Sequence, residues 1–598
     1  MATQTQQIVE RVNLVYQSSA AGNAQDVELP FRVLVLGDFS CNENSEYFDE
    51  QVPINVTNEN INSVLSSFNI AVDLNVENKL TDNEDTALLF QIKITSLESF
   101  HPDQLLKSIP VFKELQTLRN ALSSEDKAES LASIGNSLSP EHDVDENFIQ
   151  RFLKAMGIEA GENYFDDIKN DEVGRIVAEI DIRLSEQMDE LLHHADFRKL
   201  ESVWRSLDFL VQRTDFRENC QVEILNVNKT ALAEDFEDVP EVIQSSLYKL
   251  VYSSEFGQFG GHPYSVLIGN YIFKPTAQDI KILQQVTSVA AMSHAPFIAA
   301  AGAEFFDIDS YSELTKIRDF KSNFEQPKFA KWMSYRESDD ARYLALTLPG
   351  FLLRTPYGDD DNPVTSFEYQ EKLSRTDTGL WGNSAFAFVT RLFDSFAKSR
   401  WCMNVSGNKD GRVQGLHMQQ SGARGVSKSK IPAQVLISDR RESELVGQGF
   451  LPLSIHKGDD SAAFYSANSV QAAKKFSDSE DGQAAALNHQ LGAQLPYLFV
   501  VSRLSHYIKM MQREHIGSWK NRNDIEHELN NWLKQYVSDM DNPAPGVRGR
   551  RPLRKAKVEV NEVEGKGDWY LIQLTVVPHL KYMGSAFTLS ETGKLDKN

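Results

Sequence analysis

The chain has 598 residues, 41% hydrophobic and 10% aromatic, which is enough for three or four domains with large cores and too apolar for a disordered protein. Its formal net charge of −24 argues against nucleic-acid binding or insertion at an anionic membrane, since both depend on positive charge. Three widely spaced cysteines, Cys41, Cys220 and Cys402, argue against a disulfide framework or structural zinc and for a reducing compartment.

The acidity is uneven. Residues 1–150 hold 8 basic and 24 acidic side chains, a net of −16, leaving −8 for the rest. The opening "MATQTQQIVERVNL" has no apolar h-region, so no secretory leader is expected. "RVNLVYQ" alternates Val12, Leu14 and Tyr16, the period of a half-buried strand. "VLVL", Val33 to Leu36, reads as a fully buried strand ending in Gly37-Asp38, the way many nucleotide sites begin. "INSVLSSF" is a short helix with Ile61, Val64, Leu65 and Phe68 on one face. "IAVDLNV" and "LLFQIKI" alternate again across the polar turn "TDNED". "HPDQLLKSIPVFKELQTLRNAL" closes the unit as helices broken at Pro110.

Residues 123–147 are small, polar and acidic and read as a linker. "NFIQRFLKAMGI" then forms a short amphipathic helix, with Phe148, Ile149, Phe152 and Leu153 on one side and Arg151 projecting away. "IVAEIDIRLSEQMDELLHH" and "FRKLESVWRSLDFLVQRT" are helical, with Ile180, Leu184, Met188 and Leu191 in phase. Strand "CQVEILNV" follows. Residues 240–500 alternate helices with strand-like runs such as "YSVLIGNY", "RYLALTL" and "AQVLIS", the pattern of a large α/β core. "SVAAMSHAPFIAAAGAEFF" is interrupted by Ser293, His294, Pro296 and Glu304 and reads as a buried helix and strand rather than a membrane span. "RWCMNV" reads as a buried strand around Cys402. Leu495 to Val537 is helical again, and the tail is two strands around a turn at Gly565–Gly567.

Chemistry is sparse. Gly37 is followed by no second glycine before residue 51, so neither GxGxxG nor a P-loop is present. There is no HExxH and no GxSxG. His193 and His194 are adjacent on a helix and splay too far apart to share a metal; one reads as a helix-end residue and the other as packed. Asp339-Asp340 and Asp359 to Asp361 stand among arginines and turn residues, which favours salt-bridged or solvated surface over acid–base or Mg²⁺ chemistry. No catalytic residue, cofactor or metal ligand is assigned.

One basic cluster, Arg548, Arg550, Arg551 and Arg554 with Lys555 and Lys557, precedes the final strands. It reads as an anion or acidic-partner patch, a solvated linker or a self-association contact, and in an acidic chain the last is preferred. Strands at both chain ends suit addition to a neighbouring molecule. The residues expected to take part in strand exchange between copies are Val12, Leu14 and Tyr16 at the start, and Val558, Val560, Leu571, Gln573 and Thr575 at the end.

"RVNLVYQSSAAGNAQDVELPFRVLVLGDFS", "ENKLTDNED" and "IPVFKELQTLRNAL" resemble the small sheath subunit of the bacterial type VI secretion system over residues 8–122. "ELLHHADFRKLESVWRSLDFLV", "FGQFGGHPYSVLIGNY", "GLWGNSAFAFVTRLF" and "RRPLRKAKVEVNEVEGK" resemble the large sheath subunit from about residue 171 onward. The resemblance implies a mixed α/β contractile tail-sheath fold with interlocked small- and large-subunit parts and exchanged terminal strands. It divides the chain into 1–122, a linker at 123–170, a core at 171–540, and basic linker plus strands at 541–598. It also implies a helical homopolymer around an inner tube protein (Hcp-like), in contact with baseplate components, recycled by an AAA+ unfoldase (ClpV-like). The implied place is the bacterial cytoplasm, with no nucleic acid and no membrane insertion.

Under the same resemblance Phe148, Ile149, Arg151, Phe152 and Leu153 match the unfoldase's handle, and the Arg548–Arg554 group takes a self-association or tube contact. The departure from the family is that both subunits stand in one chain, which fixes their ratio and raises the effective concentration of each half toward about millimolar. The alternatives are the sheath of another phage-tail-like injection device, or an α/β enzyme with an unrecognised site.

Overall fold

A computed structural model describes residues 14–18, 25–41, 48–80, 87–123, 170–258, 260–373, 379–421, 429–455, 459–474, 476, 479–514, 521–540, 547, 551–562, 570–579 and 589–594. In chain order, strands β1 (Tyr16–Ser18) and β2 (Gln25–Val27) form an antiparallel hairpin. The central sheet uses β3 (Phe31–Gly37) and β4 (Ile54–Asn55). A separate hairpin is made by β5 (Ile70–Val76) and β6 (Leu88–Ile94). The sheet continues with β7 (Cys220–Asn226), β8 (Tyr264–Phe273), β9 (Phe297–Ala301), β10 (Leu344–Leu348) and β11 (Phe450–Pro452). Its order is β11-β10-β9-β8-β3-β7-β4, parallel throughout except for β4 at the edge.

The sequence explains the order. All seven residues of β3 are buried, and Val33 to Leu36 form the continuous apolar run that a doubly covered parallel sheet requires. Val33 and Val35 stand opposite Val222 and Ile224 on β7, while Leu34 and Leu36 stand opposite Leu267 and Gly269 on β8. The β5–β6 hairpin keeps strict alternation, one face buried and one exposed, because only one face meets protein.

Helices α1 (Ile61–Ser67), α2 (Pro102–Ser108) and α3 (Pro110–Ser123) complete the first segment, with Pro110 starting a new helix where a break was expected. Helices α4 (Asn170–Leu192) and α5 (Ala195–Gln212) pack against β5, and Ile180, Leu184, Met188 and Leu191 are fully buried. Helices α6 (Ala277–Ser293) and α7 (Ser384–Ser399) both pack on β8 and β9.

A second hydrophobic core adjoins the first. It is formed by α8 (Leu495–Glu514), α9 (Arg522–Lys534) and a three-stranded sheet of β12 (Leu553–Glu562), β13 (Tyr570–Pro578) and β14 (Leu589–Lys594). The two cores meet through α8, whose Leu498 and Phe499 belong to the first and Val500 and Val501 to the second.

Three expectations need correction. "AQVLIS" forms no strand: Ala433 makes one bridge to Phe351 and Leu436 is 46% exposed. The place beside β10 is taken by β11, which buries Phe450 and Leu451 instead. "RWCMNV" is buried at Trp401, Cys402 and Val405 but irregular, because Arg400 ends α7 in the left-handed conformation and turns the chain. The tail has three strands, not two; β14 is polar and lacks the alternation that marks its neighbours.

Candidate functional site: the seam and the chain ends

The first 122 residues do not close on themselves. β3 hydrogen-bonds on both sides to strands from beyond residue 200, so its register is a seam between the two parts of the chain. At its start Arg32 reaches Glu223 at 2.9 Å and Glu255 at 2.8 Å, and lies over the Tyr264 ring at 4.2 Å. Burial disfavours the Arg32 charge, but Tyr264, Glu223 and Glu255 more than compensate and raise its pKa. At the other end Gly37 is flanked so closely that a Cβ would lie 3.2 Å from that of Asn270. The glycine of the opening strand thus serves strand packing.

Further contacts stitch the parts together. Trp204 Nε1 donates to the Phe39 carbonyl at 3.0 Å, Arg119 pairs with Asp181 at 2.6 Å, and Gln187 donates to the Glu77 carbonyl at 3.0 Å. Beneath them lies a buried ionic network. Arg354 bridges Glu201 at 2.9 Å and Glu371 at 2.7 Å, and Arg205 also pairs with Glu201 at 2.7 Å. Tyr357 Oη donates to the Phe100 carbonyl of the first part at 3.2 Å. His193 stands 3.2 Å from Glu371, and His194 caps α5 by accepting from Asp196 N–H, so the two histidines divide as packed and helix-end residues. Burial pushes the Glu371 carboxyl up, but His193 and the Arg354 charge overcome it and hold it at about 2.

The chain ends meet in the second core. Leu14 and Tyr16 are buried there beside Trp532, Tyr507 and Tyr536. Trp532 Nε1 donates to the Val15 carbonyl at 2.8 Å, and Tyr507 Oη donates to the Leu14 carbonyl at 2.7 Å. Val12 lies outside the described residues. Val558 and Val560 are buried in the same core. Leu571, Gln573 and Thr575 alternate with buried Ile572, Leu574 and Val576 and occupy the opposite, half-exposed face of β13. Sequence reasoning missed what guards the sheet's edge. Asn530 of α9 donates to the Val558 carbonyl at 2.8 Å and accepts from its N–H at 3.0 Å. Glu526 accepts from Val560 N–H at 3.3 Å. The outer edge of β12 is therefore occupied by side chains, whereas β14 ends the sheet on the other side.

Arg551 is exposed and Arg554 half-buried at the start of β12; Arg548, Arg550 and the segment Phe148 to Leu153, where a helix was expected, lie outside the described residues. Asp339 pairs with Arg342 and with Lys474, as salt-bridged surface does. A cleft of about 830 Å³ runs along the carboxyl ends of the parallel strands, past Asp38, Asn270, Gly302 and Pro349. Its lysines are matched by carboxylates, Lys199 to Asp38, Lys229 to Asp279 and Lys274 to Glu304. Among the described residues no helix is long and apolar enough to cross a membrane.

Three family models match. Residues 4–132 match one described as "Type VI secretion system, VipA, VC_A0107 or Hcp2". Residues 174–471 match "EvpB/VC_A0108, tail sheath N-terminal domain", and residues 484–595 match "EvpB/VC_A0108, tail sheath gpW/gp25-like domain". A relative from Pseudomonas aeruginosa, "Type VI secretion system sheath protein TssC1", is 37% identical over 428 residues, 70% of this chain and 85% of the relative. A solved structure titled "Cryo-EM structure of the anti-feeding prophage (AFP) baseplate, 6-fold symmetrised" aligns with a TM-score of 0.30 and 9% identity, over 66% of this chain and 78% of that one. That last likeness is too slight to carry an argument.

Proposed function

This chain belongs to the type VI secretion tail-sheath family, with both sheath subunits in one polypeptide, and from that premise we propose how it assembles and works. It is a structural protomer of the contractile sheath. It polymerises helically in the cytoplasm around an inner tube (Hcp-like), meets baseplate components at its end, and shortens to drive the tube. It performs no catalysis.

The observation that carries this reading is that both chain ends gather in a second, smaller core. The seam makes one body of both parts, while Leu14, Tyr16 and the β12–β14 sheet gather in a smaller core of their own. Contacts made there within one chain are the contacts a neighbour's chain end makes in a swapped assembly, where one surface meets a different surface on the next copy. Backbone hydrogen bonds then keep neighbours linked while the larger bodies rotate between two packings. Deleting residues 1–17, or truncating before Lys557, is expected to leave protomers that form no filaments in negative-stain micrographs, with or without tube protein. Filaments from either truncation count against strand exchange.

The segment from Phe148 to Leu153 serves as the handle of an AAA+ unfoldase (ClpV-like). Changing Phe152 and Leu153 to Asp is expected to abolish unfoldase pull-down while filaments still form; undiminished pull-down removes the handle. The cleft along the strand ends favours a second reading, an α/β enzyme. Saturable turnover would establish it.

A further inference from the structure

A small cavity of about 10 Å³ lies where the two cores touch. Its wall takes Phe31 from β3, Ser265 from β8, Phe396 from α7, and Ser502, Arg503 and His506 from one face of α8. Five buried polar atoms on that wall lack a hydrogen-bond partner among the described residues; Arg400 Nε is held 3.2 Å from Glu28 as an ion pair, and the other four have no ion pair either: Ser265 Oγ, Ser502 Oγ, Arg503 Nε and His506 Nδ1. The four residues are at most 5% exposed, so bulk solvent does not satisfy them. Arg400, also on the wall, is paired with Glu28 and Glu218.

The chemistry of these atoms selects the occupant. His506 Nε2 lies 3.0 Å from the Ser293 carbonyl oxygen. A carbonyl only accepts, so Nε2 carries the proton and Nδ1 presents a lone pair. Burial, then the neighbouring His294, push the His506 pKa well below its ordinary value, so the ring stays neutral. Arg503 Nε can only donate, His506 Nδ1 can only accept, and the two hydroxyls do either. A halide would accept from Arg503 but leave Nδ1 facing a negative charge. A cation would meet the guanidinium. A molecule that both accepts and donates, in four directions, satisfies all four atoms. A water needs roughly 10–15 Å³ and two to four polar partners, and the cavity supplies both.

We propose that one buried water occupies this cavity, accepting from Arg503 Nε, donating to His506 Nδ1 and exchanging hydrogen bonds with Ser265 and Ser502. It joins the helix of the second core to the central sheet. Arg503 also donates to the Pro30 carbonyl at 3.0 Å and to the Leu29 carbonyl, so the water sits beneath the point where the N-terminal hairpin leaves for β3.

Thermal unfolding of the full chain tests this. Ser265→Ala and Ser502→Ala are each expected to lower Tm by about 2 °C, and the double variant by less than the sum, because both hydroxyls hold the same molecule. In a dry cavity, removing an unpaired hydroxyl relieves a cost, so unchanged or raised Tm in both single variants overturns the proposal; strictly additive losses do too. A density map of the wild-type protein fine enough to show ordered waters is the second readout. One peak within hydrogen-bond distance of all four atoms supports the water, and no peak there overturns it. A Tm that shifts when bromide replaces chloride assigns the site to an anion instead and overturns the water.

Discussion

Glu371 shows how a single carboxylate holds distant parts of the chain in place. Its oxygens accept from Arg354, His193 and the Tyr357 backbone, and Tyr357 in turn holds Phe100. Because its folded pKa is depressed from the ordinary 4.5 to about 2, its contribution is complete above about pH 4.5 and is lost as pH falls toward about 2. That contribution is about 3 kcal/mol. Glu371→Gln is expected to lower stability at pH 7 and to flatten the pH dependence between those limits, as urea denaturation across pH would measure. A slope equal to wild type's would place the acid sensitivity elsewhere. None of this network was legible in the sequence. Glu201 and Glu371 are ordinary acidic residues on a helix and a loop, and only folding brings Arg354 between them. The histidines were read correctly because adjacency on a helix constrains geometry by itself.

At the scale of elements, legibility followed periodicity. β5 and β6 were plain because one covered face imposes strict alternation. β3 was plain because two covered faces impose an unbroken apolar run. What no run reveals is its neighbour, and β3 pairs with strands almost two hundred residues away or more. "AQVLIS" failed for the same reason: an apolar run becomes a strand only where a sheet has a vacancy for it. Leu14 and Tyr16 were legible as buried positions, but the aromatic residues that receive them were not. The guard on β12 yields a prediction. Asn530→Ala leaves the Val558 N–H and carbonyl unpaired, at a cost of about 1–3 kcal/mol, and opens a strand edge to other molecules. Lower denaturation midpoints and stronger light scattering are expected; scattering equal to wild type's would mean that the edge is protected by something else.

For the whole molecule, the shared sheet decides how the protein can be divided. Residues 1–150 and 170–598, expressed apart, each lack what the other supplies: the first has β3 with no neighbour, and the second has β7 and β8 with nothing between them. Co-expression is expected to give a soluble complex that copurifies through affinity chromatography, and separate expression to give insoluble protein. Two independently soluble halves would show that the seam is not essential to either. The acidic balance that argued against nucleic acid and membranes describes a surface, and surfaces carry little information about topology.

The same seam sets a timetable for synthesis. β3 leaves the ribosome long before either of its flanking strands exists, and more than two hundred residues must be added before β8 is complete. At about 5–20 residues per second that is on the order of ten to fifty seconds, during which Phe31 and the apolar run Val33 to Leu36 have nowhere to go. A nascent chain of this kind needs a chaperone at its N-terminal third, and codons that slow translation before residue 273 would be expected to lower the yield of folded protein.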